Sequence, residues 1–299
     1  MKYFLAFNLF FLISTSIFAQ LTDLTRLEYT YFPQRNSDNN FQRIRALVKL
    51  PLKLNDKGAF LVPGFEYRNV RFDFEDATNF DTNNLNNFNS YDITLGYTFK
   101  IKKYLRFAAK SGVLIASNFE GDGVITNDDL LYSGAVVLIK DKTGEGEAKK
   151  PWRWVIGLQY STKAGIPIPL PFINYYKQFA PKWSYGLGVP KSNIKYYLND
   201  KNVFQAFATL DGFFANIQKD RVIPNSNGTN TATTASISMT VALGGLGFEH
   251  LFTDHLVLYA YTGFTFLNDI RLRDNNQDDV FTINDTNTFY IRGGLKFKL

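Results

Sequence analysis

Cysteine is absent from the 299 residues, histidine and methionine occur twice each, and no window beyond the N-terminal stretch is apolar for the length of a spanning helix. Without a thiol there is no disulfide framework, no thiolate metal site and no cysteine for lipid attachment. A helical membrane protein needs roughly 20 consecutive apolar residues per span, so the body of the chain does not cross a bilayer as helices. Charge of one sign is also lacking: 33 Lys and Arg stand against 27 Asp and Glu, for a net charge of +6. No RNA- or DNA-binding motif accompanies that modest excess, so no nucleic-acid partner is expected.

What is present begins with Lys2, an apolar run from Tyr3 to Ile13 broken only by Asn8, and a stretch ending Ile17-Phe18-Ala19. That is the layout of a secretory signal peptide. Residues 1–19 are expected to be removed after Ala19, leaving residues 20–299 as one domain, since no linker divides them.

Through that domain apolar and polar residues alternate with period two, the signature of strands with two unlike faces. From Ile44 to Leu54 an apolar face opposes Arg43, Arg45, Lys49 and Lys53; from Tyr91 to Ile101 another opposes Asp92 and Lys100. Leu105 to Ile115 opposes Arg106 and Lys110, and Trp152 to Tyr160 opposes Arg153 and Lys163. The set Phe204, Ala206, Ala208, Leu210 and Phe214 opposes Asp211. Ile237, Met239, Val241 and Leu243 oppose Ser238 and Thr240, and Leu256 to Phe266 opposes Tyr259 and Tyr261. At about ten residues each, these strands match the apolar height of an outer membrane when tilted and exceed the usual soluble strand.

Connections sort into two kinds. Asn55 to Gly58, Lys102-Lys103, Ala180 to Lys182, Asn199 to Asn202 and Phe252 to Asp254 are tight, whereas Asp73 to Asn87, Glu120 to Asp128, Lys219 to Ala235 and Ile270 to Asp285 are long and polar. Outer-membrane barrels show this asymmetry. Strict alternation requires a first strand over Arg26 to Pro33 and two short strands bent at Val189-Pro190. The expected fold is therefore all-β, a transmembrane antiparallel up-and-down β-barrel of about 14 strands. The count falls to 12 or 13 if Trp183 to Leu198 is one strand.

The last strand, Phe289 to Leu299, puts Phe289, Ile291, Leu295, Phe297 and Leu299 on one face and Tyr290, Arg292, Lys296 and Lys298 on the other. It resembles the C-terminal signal strand of outer-membrane barrels, which implies recognition by the barrel assembly machinery. It should close the barrel against Leu27 to Tyr31, leaving no unpaired edge in lipid. The Leu27-Glu-Tyr-Thr-Tyr31 start, the Leu61-Val-Pro-Gly64 opening and Gly165-Ile-Pro-Ile-Pro-Leu-Pro171 before Tyr175 resemble an uncharacterised outer-membrane β-barrel family of Gram-negative bacteria, a domain of unknown function. Leu299 departs from the terminal Phe of many barrels. The resemblance implies location and fold and carries no assigned activity.

Candidate lumen-facing groups are Arg43, Arg45, Glu66, Arg68, Asp92, Arg106, Lys110, Arg153, Lys163, Asp211 and Arg292. Their basic excess would give an open lumen a positive potential and favour small anionic solutes. The alternative is that these groups pair with lumen acids and inward-folded loops, giving a plugged structural or surface-binding barrel. An outer-membrane hydrolase is a third class, and a secreted soluble β-sandwich a fourth. His250 and His255 flank a tight turn, so no catalytic set is named and no enzymatic activity or cofactor is expected. Asp274, Asn276, Asp278 and Asp285 fall at EF-hand spacing, but Asp279 replaces the required glycine and no metal is expected. Tyr29, Tyr31, Trp152, Trp154, Tyr175, Tyr176, Trp183, Tyr196, Tyr197 and Tyr290 are expected in girdles at the lipid headgroups.

Overall fold

The computed structural model describes residues 23–121, 123–144, 149–162, 169–224, 228 and 230–298. The expected signal peptide, Lys163, most of the proline-rich motif and Leu299 lie outside the described residues.

Sixteen strand segments form one antiparallel sheet: β1 (Asp23–Pro33), β2 (Asn40–Lys49), β3 (Leu52–Lys53), β4 (Phe60–Asp73), β5 (Asn87–Lys102), β6 (Leu105–Ser117), β7 (Leu130–Lys142), β8 (Trp152–Ser161), β9 (Leu170–Ala180), β10 (Trp183–Gly188), β11 (Lys191–Tyr197), β12 (Asn202–Pro224), β13 (Thr231–Leu251), β14 (Leu256–Arg273), β15 (Asp279–Asn284) and β16 (Phe289–Lys298). The short β3 continues β2 against β4, and β15 continues the path of β16 along the far end of β14. Removing these two extensions leaves a wall of 14 strands.

The wall closes. β1 pairs with β16, with Leu27 opposite Leu295 and Tyr31 opposite Ile291, and β13 pairs with both β12 and β14. Closure satisfies every strand edge from within, the condition for a sheet to sit in hydrocarbon. β10 and β11 are separate strands, paired from Trp183 with Tyr196 to Gly186 with Asn193 and bent at Val189-Pro190 as the alternation requires.

Each wall strand exposes at least one large apolar side chain: Leu27, Ile44, Phe65, Ile93, Val113, Leu138, Ile156, Ile173, Leu187, Ile194, Phe204, Leu246, Leu258 and Ile291 in wall order. A continuous apolar belt around a closed barrel is far larger than the patches soluble proteins tolerate. It is a lipid-facing surface. The soluble sandwich is thereby replaced by a membrane-spanning barrel.

Strand length divides the barrel into two tiers. β10 and β11 have 6 and 7 residues, whereas β12 and β13 have 23 and 21. At the end carrying the long loops, β7 to β11 stop short, and β12 leans across to β6, where Asn216 pairs with Ser117. Nine strands thus close a narrow upper barrel above the fourteen-stranded lower one.

The narrow tier is filled. Phe32, Phe41, Phe72, Phe88, Phe213, Ile237, Met239, Val241, Leu243, Ile270, Leu272 and Tyr290 are all buried in one apolar core. Rings run in contact from Tyr290 to Phe32 (5.1 Å), Phe41 (5.5 Å), Phe72 (5.1 Å) and Phe88 (6.3 Å), and then across the lumen to Phe213 on β12 (5.9 Å).

Several expectations need correction. The apolar face of β13 (Ile237, Met239, Val241, Leu243) points into this core and not at lipid, and Tyr290 is fully buried inside rather than in a girdle. Period two identifies which residues share a face; it does not say whether that face meets lipid or a dry interior. The long loop expected from Lys219 to Ala235 is mostly strand, because β12 runs to Pro224 and β13 starts at Thr231. Likewise the stretch Ile270 to Asp285 folds largely into the β14–β15 hairpin.

Closure also depends on bare backbone at the seam. A Cβ on Gly294 would stand 2.3 Å from the Leu27 carbonyl oxygen and 2.8 Å from the Tyr259 hydroxyl. We expect Gly294→Val to destabilise the barrel by about 1–3 kcal/mol through overpacking, read as a lower urea midpoint and reduced heat-modifiable folded species on electrophoresis.

Candidate functional site

Between the two tiers lies a belt of buried charge. Asp211 on β12 accepts both Nη atoms of Arg43 on β2, at 3.0 and 2.8 Å, and also Nη2 of Arg292 on β16. Glu28 on β1, fully buried, accepts the Tyr259 hydroxyl at 2.7 Å, with Arg26, Arg292 and Arg45 at 3.5, 3.6 and 3.9 Å. Glu66 takes Arg45 at 2.7 Å and Arg68 on its other oxygen. Of the sequence-derived lumen set, Arg43, Arg45, Glu66, Arg68, Asp211 and Arg292 meet in this one network. The arginine forks are occupied by the protein's own carboxylates.

The remaining candidates scatter. Asp92 pairs in register with Glu66 and faces inward, its Oδ1 buried without a hydrogen-bond partner. Arg106 donates to the Gly58 carbonyl at 3.0 Å and the Thr98 hydroxyl at 3.2 Å, tying β6 to the β3–β4 turn. Arg153 lies 3.9 Å from Asp141, its guanidinium 5.7 Å from the Tyr176 ring. Lys110 is exposed, and Lys163 is outside the described residues.

Below the belt, toward the tight turns, lies a cavity of about 1060 Å³. Nine basic side chains line it (Arg26, Arg45, Lys49, Arg153, Lys182, Lys191, Lys195, Lys296, Lys298), against Asp23, Asp200 and Glu249. Asn174, Asn193, Gln178, Tyr176 and Tyr197 supply neutral donors and acceptors between them. Exposed Lys182, Asn199 and Asp200 mark its mouth at the turn end, and among the described residues none of the long loops contributes to its wall.

Glu249 organises the wall on the β11–β13 side. It accepts Lys195 at 3.2 Å, Lys296 at 3.0 Å, the Tyr261 hydroxyl at 2.6 Å and Gln205 at 3.0 Å. Reading the sequence missed Glu28, Lys191, Lys195 and Glu249. Their signal was available: Lys191, Asn193, Lys195 and Tyr197 alternate on β11, and pairing with Gln205 on β12 puts that polar face inside.

The loop end carries a latch. Asp129, in the turn Asn127–Asp129 before β7, is fully buried and accepts Gln218 at 2.7 Å, Asn216 at 2.8 Å and the Thr126 amide at 2.8 Å. Burial pushes its pKa up, but the hydrogen bonds from Thr126, Asn216, Gln218 and Ser117 outweigh that and hold it below the ordinary carboxylate value. The acidic loops gain basic partners: Arg221 lies 3.2 Å from Glu120 and 4.0 Å from Asp81.

Other sequence candidates have local structural roles. His250 Nδ1 meets Asn202 at 2.8 Å, and His255 Nδ1 meets the Lys298 carbonyl at 3.1 Å, both at the turn end. The Asp274 carboxylate caps the amides of Asn276 and Asp278 at 2.8 and 2.9 Å. Among the described residues no cluster of three metal-ligating side chains occurs. Trp154, Tyr175 and Trp183 lie on the lipid face, with Trp154 stacked on Tyr175 at 4.5 Å, while Tyr176 and Tyr197 turn into the cavity.

Fold, belt and lipid-facing surface together define a membrane-spanning β-barrel of the outer-membrane type. A family model described as a domain of unknown function (DUF6268) matches residues 15–298, and the chain belongs to that family. No curated protein matches it in sequence. Solved structures that resemble it loosely include the NanC porin (11% identity, TM-score 0.39, covering 92% of this chain and 100% of that one) and the KdgM porin (7%, 0.37, 92% and 98%). LpxR from Salmonella typhimurium is another (6%, 0.35, 92% and 100%).

Asp211→Ala would leave Arg43 without its carboxylate and Arg292 with only Glu28, at 3.6 Å, to compensate it. The expected loss is about 3–5 kcal/mol, measured by urea unfolding in detergent or lipid. Asp129→Ala should cost about 1–3 kcal/mol by orphaning Asn216 and Gln218, with faster proteolysis of residues 118–129. Because the Asp129 pKa is lowered by folding, its contribution is complete above the unfolded carboxylate pKa and is lost as pH falls through the lowered value. Protection from proteolysis should therefore hold through mildly acidic pH and fail only in strong acid.

Proposed function

We propose that this chain is a closed outer-membrane barrel that binds an anionic solute in a basic vestibule facing the periplasm, and that it is non-conducting at rest. Short turns and both chain ends belong on the periplasmic side of such barrels, which puts the cavity mouth there and the long loops outside. The observation carrying this reading is the lumen itself: a dry aromatic core fills the loop end, and a basic cavity occupies the turn end.

A passive anion channel is the second reading, favoured by the same cations. It needs the Phe88–Phe213 contact and the Ser117–Asn216 join to part. Binding is preferred to hydrolysis because both histidine rings are engaged by the turns that carry them. Partners follow from the surfaces: membrane lipid around the belt, and the assembly machinery through the exposed apolar face of β16 during insertion.

Planar-bilayer recording of the purified barrel tests the closed state. We expect no steady conductance from the wild type; a stable, anion-selective open channel would establish the channel reading instead.

A further inference from the structure

The cations left free in the vestibule are lysines, and their arrangement specifies what they suit. Arg43, Arg45, Arg68 and Arg292 are engaged by Asp211 and Glu66, so the planar forks that best grip a carboxylate are spent on the belt. Glu249 already accepts four donors. Lys191, on the same wall, forms no ion pair among the described residues. Its ammonium instead stands 4.8 Å from the Tyr261 ring and 5.0 Å from the Phe207 ring.

The Tyr261 hydroxyl donates to Glu249, which holds Lys195 and Lys296 on its two oxygens. Two ammonium groups thus share one carboxylate, and the Lys191 ammonium stands against the ring whose hydroxyl binds that same carboxylate. Ring faces hold Lys191 in place, and an ammonium is a rotatable point charge that binds tetrahedral oxyanions without needing a planar partner.

We propose that Lys191, with Lys195 and Lys296, forms an anion subsite on the wall of the vestibule for a phosphate group presented from the periplasm. The proposal rests on the vestibule reading above and narrows its ligand. The phosphate belongs either to a soluble phosphorylated solute or to a phospholipid headgroup; both present the same tetrahedral oxyanion. Lys49, which also lines the cavity, gives a longer oligophosphate a second contact nearer the mouth.

The test is isothermal titration of the folded, detergent-solubilised barrel with pyrophosphate, with tripolyphosphate, with citrate as a carboxylate of comparable charge, and with a short-chain phosphatidylglycerol. Wild type should bind the phosphates more tightly than citrate, and Lys191→Gln should weaken phosphate binding about tenfold or more, as loss of a charge-assisted contact requires. Lys191→Arg should retain most of the affinity. Lys140→Gln, on the outer face and outside the cavity, should match wild type. Heat-modifiability establishes that each variant is folded, and Lys49→Gln, with a smaller loss for tripolyphosphate than for pyrophosphate excluded, gives a second reading if Lys191→Gln does not fold.

Saturable binding of the soluble phosphates supports a solute; binding of the phosphatidylglycerol alone supports a headgroup source. Citrate binding at least as tight as the phosphates, still dependent on Lys191, overturns the phosphate assignment and leaves the vestibule reading intact. Phosphate binding unaffected by Lys191→Gln overturns the subsite. Binding of none of the anions overturns both.

Discussion

Asp211 joins strands that are not neighbours. From β12 its carboxylate reaches Arg43 on β2 and Arg292 on β16, and that is geometrically feasible only because the upper barrel closes through nine strands rather than fourteen. Removing three charged groups from water is costly unless each is well partnered, and the two-sided grip on Asp211 supplies that partnering. The belt therefore marks the boundary where a dry interior can give way to a wet one. Above it the lumen is filled by rings; below it lies a cavity lined by charged and polar side chains.

The two tiers trace to strand length. A closed sheet widens with strand number, and the five strands that stop short, β7 to β11, enlarge only the turn end. They supply Arg153, Asn174, Tyr176, Lys191, Asn193 and Lys195 to the cavity, while only Leu131 among their residues joins the apolar core. One uninterrupted sheet thus provides a small packed barrel and an open-ended basin without a separate plug domain. Contacts between adjacent rings contribute about 0.5–1.5 kcal/mol beyond their burial, so a run from Tyr290 to Phe213 makes the core cohesive as well as space-filling.

Much of this was legible from the sequence. Alternation located eight of the fourteen wall strands, tight and long connections gave their order, and the bend at Val189-Pro190 pointed to fourteen while leaving 12 or 13 open. The closing partnership of β16 with β1 followed from the need to leave no edge in lipid, and the structure supplies its register. What alternation does not encode is the medium a face meets. Ile237, Met239, Val241 and Leu243 read like a lipid-facing row, yet the other faces of β12 and β14 had already set which side of β13 turns inward. The belt was half visible: its arginines and Asp211 stood out, while Glu28 and Glu249 sit in strands whose neighbours are apolar, and only pairing across strands brings them to the cations. Lys191 and Lys195 were hidden similarly, in a strand too short for its period to be prominent.

A vestibule closed at one end imposes a thermodynamic condition on any function beyond binding. Any ligand held there would equilibrate with one compartment, and passage would require β12 to leave β5 and β6. That motion separates Phe213 from Phe88, Asn216 from Ser117 and Asp211 from at least one arginine. The ionic step dominates, because an unpaired charge left in a poorly hydrated lumen costs about 3–5 kcal/mol. An opening of that cost is populated at roughly one part in 160 to one part in 5,000. A ligand anion could lower it only by binding the open form more tightly, in effect replacing Asp211 as the partner of Arg43 and Arg292. The electrostatics that hold Asp211 between Arg43 and Arg292 therefore set what any competing anion would have to do: bring negative charge to the belt from the lysine-lined side.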